Sequence, residues 1–142
     1  MVEPVVRRTV ELDAPALEVW HLLTDPAELR TWFAADVDLV ATPGATGLVL
    51  DHDGTTRHVV VDVLDAEHRL DLTWWPTDLP EAASTISFTL DEQGGRTLLT
   101  VTETPVVRAG GMVCRSREAA DPWTGRLLGL ELAVLTRVGA ST

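Results

Sequence analysis

Apolar and polar residues alternate with a period of two through Val5–Asp13. Val6, Val10 and Leu12 fall on one side, and Arg7, Thr9 and Glu11 on the other. That is the pattern of a half-buried strand. The period then changes. Ala16, Val19, Trp20 and Leu23 stand at i, i+3, i+4 and i+7, which predicts a helix with one apolar face. Leu29, Trp32 and Phe33 repeat the spacing in a second short helix. Pro15 and Pro26 each sit in a first turn, where a missing N–H costs nothing. Asp25 is a good N-cap, and Glu28 stands at the capping-box position.

Period two returns after Phe33. Val37–Thr42 is predicted as a short strand ending at the turn signal Pro43-Gly44. Gly47–His52 follows, with Leu48, Leu50 and His52 expected on the inward face. Asp53-Gly54 is a hairpin turn of the kind that needs positive φ. His58–Leu64 is apolar almost throughout, as in a strand covered on both sides. Arg69–Trp75 places Leu70, Leu72 and Trp74 on one side and Trp75 on the other. Thr85–Leu90 turns Ile86, Phe88 and Leu90 inward. After Gln93-Gly94-Gly95, Thr97–Thr104 places Leu99, Val101 and Glu103 on one face. Val106–Ala120 has no clear period and is expected to be a loop. Asp121 and Pro122 then start the longest helix, to about Val138, with Trp123, Leu127, Leu130 and Val134 as its apolar stripe.

The order is strand, two short helices, six strands, long helix. About seven strands in hairpin succession predict an α+β domain with a mostly antiparallel sheet. The long helix buries its stripe on the concave face, and the two short helices plug one end. Such a layout favours a cavity between helix and sheet.

Composition narrows the function. The chain has 142 residues, 45% hydrophobic and 23% charged, which predicts one soluble domain over 1–142. A net charge of −11 argues against nucleic acid and anionic membranes as partners. No segment has the length of a membrane span, and the first residues lack the apolar run of a signal peptide, so a cytoplasmic location is expected. One cysteine gives no internal disulfide and no thiolate zinc site. Lysine and tyrosine are absent, which removes Schiff-base and tyrosine acid chemistry. No nucleotide or hydrolase motif occurs, and no cofactor or metal is expected.

The element order, with Ala14-Pro15, Val19-Trp20, Thr24-Asp25-Pro26, Trp32-Phe33, Arg69-Leu70, Thr73-Trp74 and Trp123-x3-Leu127-x2-Leu130, resembles the helix-grip fold of the START-like SRPBCC superfamily. Within it, the chain is similar to relatives of the C-terminal domain of the activator of heat-shock-protein-90 ATPase. The likeness runs over essentially the whole chain. One departure is Pro122, where the family usually has Gly before the helix Trp.

The residue reading and the resemblance together give three functional expectations. The first is a protein that binds an apolar small molecule between the last helix and the sheet. Trp32, Phe33, Leu50, Trp74, Phe88, Trp123 and Leu127 would shape that site, while His52 and Glu103 would orient the ligand. The second is an enzyme of the cyclase or dehydratase kind, with His52 and Glu103 as its acid–base candidates; of these two, the non-enzyme reading is preferred. The third is a chaperone partner, which by the resemblance would call for a further N-terminal domain. A homodimer through the sheet is a further expectation, because His58–Leu64 is apolar on both sides. Gly125 and Gly129, four apart on the last helix, suggest either close packing or room for a ligand. Met112 and Cys114, in the loop, carry no expected chemistry.

Overall fold

The computed structural model describes residues 6–106 and 122–140, the side chains of 122 and 136–140 excepted. The loop expected over Val106–Ala120, the cap at Asp121, and Met112 and Cys114 thus lie almost wholly outside the described residues. Strand β1 is Val6–Leu12, followed by helices α1 (Ala16–Thr24) and α2 (Pro26–Trp32). Strands β2 (Asp36–Asp38), β3 (Thr46–Leu50), β4 (Thr56–Asp65) and β5 (Arg69–Pro76) come next. A single 3-10 turn at Pro80–Ala82 precedes β6 (Ser84–Gln93) and β7 (Arg96–Pro105). Helix α3 is Pro122–Ala140. No helix among the described residues is long and apolar enough to cross a membrane.

The sheet order is β1-β7-β6-β5-β4-β3-β2, and every neighbouring pair is antiparallel. From β2 onward each strand pairs with the next, while β1 pairs with β7 at the far edge. Helices α1 and α2 therefore carry the chain from one edge of the sheet to the other. This is the expected helix-grip arrangement, with a curved antiparallel sheet and a C-terminal helix.

The helix ends follow from their sequences. Asp25 caps α2 by accepting the Ala27 N–H at 3.0 Å, as its position predicts. Helix α1 has no side-chain cap of its own. Instead Glu92, on β6, accepts the Ala16 N–H at 2.8 Å, so a carboxylate from the sheet satisfies an orphan donor and complements the helix dipole. Thr97, fully buried, donates to the Ala14 carbonyl at 2.7 Å and fixes the same corner.

The stripe of α3 is buried as predicted, with Trp123, Leu127, Leu130 and Val134 all in the core. Each such side chain contributes about 1.5–3 kcal/mol of burial. Gly129 lies with its Cα side against Trp32, where an added Cβ would meet Trp32 backbone and Cβ atoms at 3.5–3.6 Å. The glycine thus lets α3 approach α2. Gly125 faces open space, so of the two only Gly129 has the packing role that the sequence suggested.

Strand β3 corrects the sequence reading by one residue. Leu48 and Leu50, expected inside, are 42% and 40% exposed, and His52 is also exposed. Val49 and Asp51 point inward instead, at 1% and 7%. The parity of a strand is chosen collectively. Here Val49 pairs with the fully buried Val37 of β2, and Asp51 is drawn inward by two arginines described below. Gly47 permits the β2–β3 approach, since a Cβ there would stand 2.2 Å from the Asp38 carbonyl oxygen. Strand β2 is accordingly shorter than the predicted Val37–Thr42. Of the β4 residues read as apolar on both sides, Val63 is 39% exposed after a bulge near Asp62. His58 stacks on Trp75 on the outer face, with centroids 5.6 Å apart.

Candidate functional site

Five aromatic side chains meet where α2 and α3 face the sheet. Phe33 stacks on Trp74, with centroids 5.5 Å apart and planes 25° apart, and lies 5.9 Å from Trp123. Phe88 meets Trp123 edge-to-face at 5.8 Å, and Trp32 meets Phe88 likewise at 6.3 Å. Offset and edge-to-face pairs of this kind contribute about 0.5–1.5 kcal/mol each beyond burial. The indole N–H of Trp32 donates to the Leu22 carbonyl at 2.8 Å, joining α2 to α1. Together with Leu127, these buried rings lie between α3 and the sheet.

A polar cluster is built into this aromatic wall. Glu103, on β7, accepts the indole N–H of Trp123 at 2.8 Å through Oε1. Through Oε2 it accepts the indole N–H of Trp74 at 3.0 Å and the hydroxyl of Ser84. Three neutral donors thus converge on one carboxylate, which links β5, β6, β7 and α3. Beside it lies Arg126, one turn along α3 from Trp123. Its guanidinium carbon stands 5.3, 5.2 and 4.9 Å from the ring centroids of Phe33, Trp74 and Trp123. Its Nε donates to the Phe33 carbonyl at 3.0 Å, and its Nη2 to Asp51 Oδ1 at 2.7 Å. Arg57, on β4, pairs through Nη1 with the other Asp51 oxygen and covers the Trp74 ring at 4.7 Å.

Burial sets the electrostatics of the two arginines. Desolvation is the largest influence on each and pulls both below the usual arginine pKa. The like charge of Arg126 lowers Arg57 further, while the negative charge of Glu103 opposes the shift in both. Removing one member of such a group leaves an uncompensated buried charge, which costs about 3–5 kcal/mol.

The pocket lies elsewhere, between α2 and strands β2 to β6. Leu29, Phe33, Val49, Val61, Leu72 and Phe88 are among its walls, and among the described residues Thr24 is the one polar residue that lines it. Its enclosed volume is about 10 Å³, close to the space needed by one water molecule.

Of the residues expected at a ligand site, Phe33 and Phe88 line this pocket. Trp32, Trp74, Trp123 and Leu127 are buried in the aromatic wall beside it. Glu103 belongs to the polar cluster. Leu50 and His52 face outward, because β3 has the opposite parity. Asp51, Arg57, Arg126 and Ser84 were missed. Arg126 had a signal in the sequence, since it stands three residues after Trp123 and next to Leu127, on the apolar stripe of α3. Asp51 is the residue that the inverted parity of β3 concealed.

Comparison with known proteins agrees with this architecture. The family described as activator of Hsp90 ATPase homolog 1-like protein matches residues 13–121. Among solved structures, DynU16, a protein of the dynemicin biosynthetic locus, is 27% identical with a TM-score of 0.77. The match covers 92% of this chain and 47% of that one, so the chain spans about half the length of DynU16. CalU16 from Micromonospora echinospora is 20% identical over 99% of this chain and 92% of its own, with a TM-score of 0.70. The Aha1 dimer from Colwellia psychrerythraea is 19% identical over 91% and 94%, with a TM-score of 0.72. No curated protein matches the chain. With more than half of its length matched, the chain belongs to the family of activator of Hsp90 ATPase homolog 1-like proteins, within the helix-grip SRPBCC superfamily.

Proposed function

We propose that this chain binds a compact apolar small molecule in the pocket between α2 and the sheet, with Phe33 and Phe88 as its aromatic wall. The observation that carries the reading is the lining of that pocket, which among the described residues is apolar at every position but Thr24. Apolar walls with few polar groups are the usual make-up of small-molecule sites. The likeness to a protein of a biosynthetic locus adds support. This reading sets the ligand beside α2 rather than directly under α3.

The enclosed volume is far below the several hundred Å³ of a typical ligand site, so binding requires a wall to yield. Helix α2 is the wall suited to this. It has seven residues, and its Arg30–Asp36 ion pair is exposed and so contributes little. The acid–base enzyme reading has less in its favour, since His52 faces solvent and Glu103 is held by three donors. The chaperone reading draws on the family match and on no side chain described above.

A thermal-shift screen with benzene, toluene and ethylbenzene tests the proposal. At a hundred times Kd, a ligand stabilises the folded state by about 2.7 kcal/mol, which raises Tm by roughly 5–10 °C at this size. Val61→Phe, which fills the pocket, should abolish the shift. No shift with any of these molecules, or an equal shift in Val61→Phe, would overturn the reading.

A further inference from the structure

Among the described residues, Arg126 has one buried donor group without a hydrogen-bond partner. Its side chain is 10% exposed. Nε and Nη2 are both hydrogen-bonded, but Nη1 is buried and has no hydrogen-bond acceptor among the described residues. Leaving a buried charged donor unmet costs at least about 1–3 kcal/mol, so such an atom calls for an explanation. The guanidinium also lies over Phe33, the ring that lines the apolar pocket. The Phe33 ring is thus shared by the guanidinium that carries the unmet donor and by the apolar pocket.

The charge of the cluster limits what could meet that donor. Arg57 and Arg126 are positive, and Asp51 and Glu103 are negative. The four formal charges cancel. A carboxylate or phosphate would bring a fifth, uncompensated charge into a site where desolvation already weighs on both arginines, at a cost of several kcal/mol. A neutral oxygen acceptor brings none.

We infer that Arg126 Nη1 is the recognition point for the carbonyl oxygen of a ketone or similar neutral carbonyl compound whose apolar body occupies the pocket beyond Phe33. This rests on the pocket reading above and adds the polar feature of the ligand. Arg126 then acts as a specificity-determining residue, and its hydrogen bonds to Asp51 and the Phe33 carbonyl hold the guanidinium in place. Phe33 is the hinge of the arrangement, because its ring must turn or shift for the oxygen to reach Nη1.

Three probes of similar size separate the parts of this inference. Acetophenone carries a carbonyl, ethylbenzene has the same skeleton without oxygen, and benzoate adds a charge. Titrations followed by NMR of the guanidinium nitrogens and the pocket methyl groups should give acetophenone at least tenfold tighter binding than ethylbenzene. Benzoate should bind more weakly than acetophenone, and the Arg126 nitrogen signals should shift with acetophenone alone. Arg126→Gln should bring acetophenone and ethylbenzene to the same affinity. Arg126→Lys keeps the charge beside Asp51 but loses Nη1, and serves where Arg126→Gln does not fold. Equal affinities in the wild-type chain, a preference that survives both substitutions, or tightest binding by benzoate would each overturn the carbonyl site. If ethylbenzene binds without preference, the pocket stands and the arginine site fails. If acetophenone alone binds, the arginine site stands without an apolar pocket. If neither binds, both fail.

Discussion

The indole N–H of Trp123 donates to Glu103 at 2.8 Å, and this bond ties the first turn of α3 to the last part of β7. Trp74 and Ser84 donate to the same carboxylate, so a single side chain joins the helix to three adjacent strands. Glu103→Gln keeps the shape but replaces one accepting oxygen with a donor that faces N–H and O–H groups. Hydrogen bonds to charged groups are each worth about 1.5–3 kcal/mol. The substitution should lower unfolding stability by about 2–4 kcal/mol in urea denaturation, with the m-value unchanged. A loss below about 0.5 kcal/mol would remove Glu103 from its linking role.

The parity of β3 can be tested by a pair of substitutions. Val49→Ala removes buried methyl groups and should cost about 2 kcal/mol. Leu50→Ser, on the exposed side, should stay within about 0.5 kcal/mol of the parent. Chemical denaturation of both variants checks this, and the reverse ranking would restore the parity first expected from Leu48, Leu50 and His52.

That strand also illustrates which parts of the structure were legible in the sequence. Where apolar periodicity has one reading, as in Leu70-x-Leu72-x-Trp74 or Trp123, Leu127, Leu130 and Val134, the buried face was found. Alternation also placed Glu103 on the inner face of β7. In β3 both parities carry apolar residues, and the deciding side chain is Asp51. An aspartate faces inward only if its charge is met, and its partners Arg57 and Arg126 lie 6 and 75 positions away by number. Local pattern cannot register such a partnership. The Glu92 cap on α1 was hidden for the same reason, since it comes from a strand 76 residues later. How the five rings under α3 interlock depends on rotamers and not on spacing.

The two helix glycines should respond differently to added side chains. Gly125→Ala meets open space and should stabilise the fold by about 0.5–1 kcal/mol through helix propensity alone. Gly129→Leu would press on the Trp32 backbone and should cost about 1–3 kcal/mol by overpacking. Thermal unfolding of the two variants gives the comparison, and a stabilising Gly129→Leu would mean that α2 and α3 are not closely packed there.

Acid should weaken the α2–β2 corner. Asp36 is held below the ordinary carboxylate pKa of 3.8, first by the hydrogen bond from Arg30 Nε and then by the Val37 N–H. Its folded value lies below its unfolded value. The stabilisation is therefore fully present above the unfolded pKa and is lost as pH falls through the folded one. Asp36→Asn should be less stable than the parent at pH 7, and the gap should close as pH falls below the ordinary carboxylate range. A gap that is constant over this fall in pH would show that the Arg30 contact does not act through charge.

If the pocket behind Phe33 takes an apolar small molecule by displacing α2, its wall methyl groups must sense the ligand. The most direct test is a methyl NMR spectrum of the full chain, labelled at Leu and Val, recorded with and without ethylbenzene. Saturable shifts are expected at Leu29, Val49, Val61 and Leu72, with the exposed Leu128 and Leu135 unmoved. An unchanged spectrum, or shifts confined to those exposed leucines, would contradict binding there.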